Sequence, residues 1–309
     1  MKRIFALLGA ILLAVGLCVA ADSPAKIPII LDTDIGTDID DAFALALIIN
    51  SPEFDLLGVT TVSGDTAARA RLAAKLLWEA GGKWRQVPVV AGASGPAQSI
   101  EQARWADGFT SPQILKESAV DFIRSKIHRY PGKVTLIAIG ELTNVAALIK
   151  ADPQAPKLIV RIALMGGSVA RGYEAGSKPE PEWNIKSNPP AAQVVFASGI
   201  PIVMAPLDVT AMLKLDAAGR ARIFGRHTPL TEGLSSLYHL WNSPTPTLFD
   251  PMPVAMILRP DLCQTKDLAI EVDNQGMTRV AKAKPANALV GLSTDASKFF
   301  EFYLERVGK

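Results

Sequence analysis

Between Ile29 and Leu45 the chain reads Ile-Ile-Leu-Asp-Thr-Asp-Ile-Gly-Thr-Asp-Ile-Asp-Asp-Ala-Phe-Ala-Leu: an apolar run of strand length, a glycine-containing turn rich in aspartate, and an apolar stretch of helical pattern. The turn gathers Asp32, Asp34, Asp38, Asp40 and Asp41 within ten positions. Like charges crowded behind a buried strand are most readily tolerated when a cation compensates them. Every donor is a hard oxygen, with no histidine or cysteine in the block, so the expected ion is calcium or magnesium rather than zinc or copper. The competing reading is a solvated acidic turn in which Asp38 or Asp40 caps the next helix. A single Asp-x-Asp would favour that reading, whereas five carboxylates behind a strand favour a site.

Downstream, strand-like and helix-like stretches alternate. Strands are expected over 27–31, 55–62, 87–91, 134–139, 158–165 and 202–205, with helices over 40–50, 65–80, 111–129, 142–150 and 190–197. Two late strands near 268–272 and 278–281 and a last helix over 293–307 complete the expectation. Alternation with near-continuous apolar strands implies an α/β fold, an open and mostly parallel sheet with helices on both faces. Ligands in such sheets sit beyond the carboxyl ends of the strands. Polar residues gather at those ends: Ser63-Gly64-Asp65, Gly140 to Asn144, Gly166-Gly167-Ser168 and Leu207 to Thr210. Each group alone reads as a turn or cap; together, on the edge that carries the acidic block, they read as a site. The aperiodic stretch from Gly166 to Pro190, holding Glu180, Glu182, Trp183 and Asn184, is long enough to be a functional loop.

With 309 residues and 49% hydrophobic content, the chain can bury one large core. Lys2 and Arg3 precede an apolar segment from Ile4 to Val19 that is followed by Ala20 and Ala21, which predicts a cleaved signal peptide over 1–21 and one catalytic domain over 22–309. The apolar run is short for a membrane span, and Leu17 before Cys18 disfavours lipidation, so no stable anchor is expected after cleavage. Removing two basic residues and no acid takes the formal charge from +2 to 0, and nothing resembles a nucleic-acid footprint. The mature chain keeps only Cys263, which excludes an internal disulfide in the periplasmic or secreted setting that the signal implies; Cys263 reads as a small core residue.

The Asp-Thr-Asp-Ile-Gly and Asp-Asp-Ala blocks, Thr60-Thr61-Val62-Ser63-Gly64, Leu142-Thr143-Asn144, Met165-Gly166-Gly167, Glu182-Trp183-Asn184 and Asp250-Pro251 occur in the order seen in the inosine-uridine preferring nucleoside hydrolases, and the chain resembles that family over nearly all of its mature length. The resemblance implies a Rossmann-like open sheet, one bound calcium ion, a small-molecule nucleoside substrate and hydrolysis of an N-glycosidic bond; a homo-oligomer is compatible with it. Position by position, it implies that Asp34 binds the metal and takes the proton of the attacking water. Asp41, Asp250 and the Thr143 carbonyl would complete the coordination, Asp40 would hold a ribose hydroxyl, and Glu182 and Asn184 would grip the sugar. Asp32 would support the block from behind.

Three departures bear on the transfer. Thr37-Asp38-Ile39 is longer than the usual family insert, so Asp38 is an additional acid there; Asp65 stands where many members place an asparagine beside the ribose; and Phe249 precedes Asp250 where many members have a histidine that protonates the leaving base. Phenylalanine cannot donate a proton but can stack on a base, with Trp105 or Trp241 as second faces. His239, next to Tyr238, is the one histidine placed to replace the acid. These features predict a purine preference and a role in purine salvage. Two other classes compete. Leu31-Asp32-Thr33-Asp34 after a strand also resembles the opening motif of haloacid-dehalogenase-type, magnesium-dependent phosphohydrolases, although no second acidic pair follows Asp41. A non-catalytic periplasmic ribose- or nucleoside-binding protein would explain the missing histidine but not the retained Asp34.

Overall fold

A computed structural model describes residues 25–309, and the expected signal peptide lies outside them. Eleven strands run in chain order: β1 (Ile27–Thr33), β2 (Phe54–Thr61), β3 (Val89–Ala91), β4 (Ile114–Leu115), β5 (Val134–Ala138), β6 (Ile159–Met165), β7 (Ile202–Ala205), β8 (Cys263–Leu268), β9 (Ile270–Val272), β10 (Thr278–Val280) and β11 (Ala288–Thr294). Nine form one sheet in the order β4-β3-β2-β1-β5-β6-β7-β11-β8, parallel except where β8 closes the edge against β11. β9 and β10 make a separate antiparallel pair.

β1 is the pivot. The chain winds from it through β2 to β4 on one side, then returns to place β5 against its other side. This reversal is a topological switch point, and it puts the carboxyl end of β1 where an open sheet offers a crevice. The strand is apolar on both faces, with Ile29, Ile30 and Leu31 fully buried, because a core cluster packs on each side of the sheet.

The helix Asp40–Ile49 follows the acidic turn and is buried along almost its whole length, with Ala42 to Ile48 all excluded from solvent. An apolar run without a polar stripe demands such a central position. It packs against Pro251–Leu258 and Ala296–Val307, and Tyr303 Oη donates to the Phe43 carbonyl at 3.0 Å. The acidic block is therefore anchored to the last part of the chain by its own helix.

Some elements differ from expectation. The stretch expected as a helix over 111–129 begins with the short strand β4, and its helix starts only at Ala119, where the Ser118 side chain accepts from Asp121 N. β11 was not anticipated, and the last helix is correspondingly shorter, Ala296–Val307, capped by Asp295. Its Leu-Val-Gly-Leu run is a short apolar segment next to helix formers, which periodicity alone does not resolve. Cys263 is buried with its Sγ 3.3 Å from Met252 Sδ, as a core cysteine should be. Among the described residues no helix is long and apolar enough to cross a membrane.

Candidate active site

The turn after β1 bends sharply at Gly36, whose φ of +117° is ready only for glycine and whose absent Cβ would lie 2.7 Å from Ile100 Cγ2. Beneath this turn lies Arg69, fully buried on the helix Thr66–Ala80. Its guanidinium donates to the carbonyls of Asp34 and Ile35, to Thr37 Oγ1 at 2.8 Å and, through Nε, to the Ser63 carbonyl at 2.8 Å. Gln102 Nε2 adds a bond to the Asp38 carbonyl at 2.6 Å. The backbone of the acidic turn is thus held from below while its carboxylates point elsewhere.

They point into a cavity of about 250 Å³. Asp34, Asp38, Asp40 and Asp41 line it from the turn, Glu182 and Asn184 from the 166–190 loop, and Phe249 and Asp250 from the far end of the chain. One carboxylate oxygen each from Asp40, Asp41 and Asp250 lies within 4.8 Å of the other two. Asp250 enters at the start of the helix Pro251–Leu258, and its N–H donates to Asp40 Oδ2 at 3.3 Å, which ties the two segments together. Thr33 Oγ1 donates to Asp41 Oδ1. Among the described residues no lysine, arginine or histidine lines the cavity.

The electrostatics follow. Burial, followed by mutual repulsion, holds Asp40, Asp41 and Asp250 well above the usual carboxylate range. Burial pushes Asp34 up to about 6, with Arg69 opposing the shift. Three adjacent buried carboxylates of high proton affinity, with no cation among them, form a hard-oxygen donor set that fits a divalent ion of the calcium or magnesium type. The acidic cluster could hold a metal ion.

Asp32 does not line the cavity. Its Oδ1 accepts from Thr60 Oγ1 at 2.6 Å and Asn144 Nδ2 at 2.8 Å, its Oδ2 has no partner, and burial raises its pKa to about 7. It braces β1 against β2 and the turn after β5. Asp38 stands at the rim, exposed, with Oδ1 accepting its neighbour Ile39 N at 2.6 Å. Glu182 caps the short helix Trp183–Ser187, accepting from Gly167 N, Asn184 N and Ile185 N, and is still raised to about 7 by burial. Asn184 Nδ2 donates to the Ile139 carbonyl at 2.9 Å and the Met165 carbonyl at 3.2 Å, joining the loop to the ends of β5 and β6.

Several residues singled out from sequence sit elsewhere. Asp65 is an exposed N-cap, its carboxylate accepting from Ala68 N at 2.9 Å. Thr143 lies outside the cavity: its hydroxyl bonds Glu141 and Asn188, and it opens the helix Thr143–Ala151. Ile139, at the end of β5, lines the cavity instead. Trp105 lies over Lys75 and against Gly233. Tyr238 packs with Phe224 and Trp241 and donates to the Pro244 carbonyl, while His239 and Trp241 line a separate surface depression with Glu101 and Arg104. Of the aromatic residues singled out from sequence as faces for a base, Phe249 alone lines the cavity; Trp183, named with the loop, lines it as well. No member of the helix Pro229–Trp241 reaches them, because its apolar face packs on the helix Thr66–Ala80 and against the 101–106 segment.

Two residues of the site were missed. Arg69 begins an i, i+3, i+4, i+7 stripe with Leu72, Ala73 and Leu76, so a cation stands where the pattern demands an apolar residue; that misfit was a readable signal. Tyr173 sits in the aperiodic loop, where no pattern marks it, and its ring meets Phe249 edge-on at 6.0 Å between centroids.

Comparison with known proteins agrees with this geometry. The family model described as inosine-uridine preferring nucleoside hydrolase matches residues 29–301. A non-specific ribonucleoside hydrolase, RihC, of Escherichia fergusonii is 36% identical, the alignment covering 92% of this chain and 99% of that protein. Uridine nucleosidase 1 of Arabidopsis thaliana is 32% identical over 81% of this chain and 79% of its own length. Among solved structures, the purine-preferring ribonucleoside hydrolase from Gardnerella vaginalis superposes with a TM-score of 0.78 at 26% identity, covering 91% of this chain and 98% of that one. A plant nucleoside hydrolase, PpNRh1, shares the fold with a TM-score of 0.80 at 22% identity over 92% and 99% of the two chains.

Proposed function

The chain belongs to the inosine-uridine preferring nucleoside hydrolase family, and from that premise we propose that it is a calcium-dependent ribonucleoside hydrolase with a preference for purine bases. It is an enzyme that cleaves N-glycosidic bonds, which sets aside the phosphohydrolase and the non-catalytic binding protein. The observation that carries the finer reading is the convergence of Asp34, Asp40, Asp41 and Asp250 on one cavity with Phe249 on its wall. At about 250 Å³ the cavity lies just below the roughly 300–1,000 Å³ typical of small-molecule sites, which suits a ligand of nucleoside size.

Asp40, Asp41 and Asp250 would hold the cation, with Asp34 beside them. When bound, calcium supplies charge neutralisation for these acids and Lewis acidity toward water and a ribose diol. Asp34 acts as general base: it lines the cavity beside the acids that would hold the cation, and Arg69 beneath the turn opposes the rise that burial gives its pKa. Water oxygen bonds to C1′, the C1′–N bond breaks with its electron pair on the base, Asp34 takes one water proton and returns it to solvent, and the base takes one proton from solvent. The carboxylate-lined wall stabilises the positive charge that develops on the sugar more than it stabilises the neutral substrate. Asn184 and Glu182 shape the sugar end from the loop side.

Phe249 supports the purine preference, since the larger purine ring gains more from stacking on an aromatic face than uracil does. Export, with removal of residues 1–21, completes the proposal, and N-terminal sequencing of the exported protein tests it. The central test is Asp34→Asn, measured by ribose release and by inosine calorimetry. Hydrolysis should vanish while binding persists; a variant that retains activity would remove Asp34 from the role of base.

A further inference from the structure

A base that leaves with the C1′–N electron pair needs a hydrogen-bond donor at its ring, yet six of the residues lining the cavity are carboxylates, which accept once ionised. Phe249, Ile139 and Met165 offer no N–H or O–H from a side chain. Asn184 Nδ2 is taken up by the carbonyls of Ile139 and Met165 and by Met165 Sδ. The Thr37 hydroxyl sits on the acidic turn, where it accepts from Arg69 at 2.8 Å. Trp183 is 52% exposed, and Lys186 Nζ lies 5.1 Å from its ring.

Tyr173 differs from all of these. Its ring stands against Phe249 at 6.0 Å and 76°, so the two aromatics form one wall of the cavity. Its Oη accepts the backbone N–H of Trp183 at 2.8 Å. That bond uses the oxygen as an acceptor and fixes the ring, while no acceptor among the described residues takes the phenolic proton. The phenol is therefore a positioned donor with an unused O–H, in the cavity wall that its ring shares with Phe249.

We propose that Tyr173 is the leaving-group donor of this enzyme, its hydroxyl hydrogen-bonding a ring nitrogen or carbonyl of the departing base. The proposal rests on the nucleoside hydrolase reading and adds a residue to it. As the C1′–N bond breaks, negative charge grows on the base, and the O–H dipole stabilises it. The proton that neutralises the freed base comes from solvent through that hydroxyl, so Tyr173 ends protonated. Burial, and then the charge of Glu182, hold the phenol above its ordinary range and keep it in the donor form. Phe249 thus stacks on the base while Tyr173 donates to it.

Tyr173→Phe keeps the ring against Phe249 and removes the O–H alone. The assay compares inosine with p-nitrophenyl β-ribofuranoside, whose leaving group departs as a stable anion and needs no donor. The expected result is a loss of about 10²-fold in kcat/KM on inosine, with a loss of only a few-fold on the nitrophenyl riboside; retained cleavage of the latter also reports a folded site. Equal losses on both substrates would make the phenol a ribose contact or a structural group, and undiminished inosine cleavage would make it a bystander; either overturns the proposal. Wild-type protein that cleaves neither substrate would instead overturn the hydrolase reading on which it rests.

Discussion

Stripping the metal should invert the usual pH dependence of stability. Asp32 and Glu182 are raised by burial to about 7 and Asp34 to about 6, from ordinary values of 3.8 for aspartate and 4.5 for glutamate. A carboxyl whose folded pKa is raised contributes stability that is fully present below its unfolded pKa and is lost as pH rises through the folded one. The loss should therefore run from about pH 4 to about pH 7. The carboxylates held low by partners, such as Asp273, which accepts from Met277 N and lies beside Arg279, act oppositely but below pH 5, where their unfolded forms titrate. Between pH 5 and 7.5 only the raised groups matter. Linkage over that window gives roughly 2 kcal/mol each for Asp32 and Glu182 and about 1 for Asp34, about 5 kcal/mol from these three, and Asp40, Asp41 and Asp250, also raised, act in the same direction. For a domain of this size such a loss lowers Tm by on the order of 10 °C. The assay is a thermal melt of chelator-treated protein at pH 5, 6, 7 and 7.5, repeated with millimolar calcium. The metal-free Tm should fall across the series and calcium should restore it most at the highest pH. A metal-free Tm that stays level or rises from pH 5 to 7.5 would refute the reasoning.

Asp250→Ala removes one of three converging acids, and calorimetry should show calcium affinity reduced by at least about 10²-fold, two hydrogen-bond-sized contributions of a charged group. Arg69→Met strips donors from three backbone carbonyls and Thr37 in the interior, so denaturant melts should record a destabilisation of about 3–5 kcal/mol; a change below 1 kcal/mol would show that the turn holds itself. Phe249→Ala should lower kcat/KM for inosine about tenfold more than for uridine in parallel assays, the share of one aromatic contact. Replacing inosine by 2′-deoxyinosine should cost one to two decades of rate, about 1.5–3 kcal/mol for a lost charged hydrogen bond at the acidic end of the cavity.

The acidic end of this site was legible because its signal is local. Asp34, Asp40 and Asp41 lie within one turn, and their mutual repulsion is evident before any fold is known. Asp250 was reached only through the ordered motifs, since 210 positions separate it from Asp40 in the block it joins. The parallel sheet was legible from buried apolar runs, and β11 was lost where a short apolar run borders a helix. The aromatic end failed for a different reason. Trp105, Tyr238 and Trp241 are as good as Phe249 by residue type; what separates them is packing, which sets Tyr238 against Trp241 and Trp105 against Lys75, away from the cavity that Phe249 lines. His239 fails likewise, since it faces Glu101 and Arg104 rather than the acids. Asp65 and Thr143 show the limit of motif transfer: a residue at a strand end can be consumed by starting the next helix.

Arg69 explains how so much negative charge survives folding without being quenched. A buried arginine beside buried aspartates would ordinarily form a bidentate ion pair, which is the strongest use of its fork. Here all of its bonds go to carbonyl oxygens and to one threonine hydroxyl. The cation is near enough to lower the proton affinity of Asp34 and Asp41 but makes no salt bridge with either. Had it turned upward by one side-chain length, the acids would be satisfied internally and the site would have little affinity for a metal. By bonding the turn's backbone instead, Arg69 fixes where the carboxylates stand while leaving their oxygens free. The fold thereby holds a concentrated acidic site that could hold a divalent ion, and the same restraint on the turn keeps Asp34 oriented toward the cavity that Phe249 and Tyr173 close from the other side.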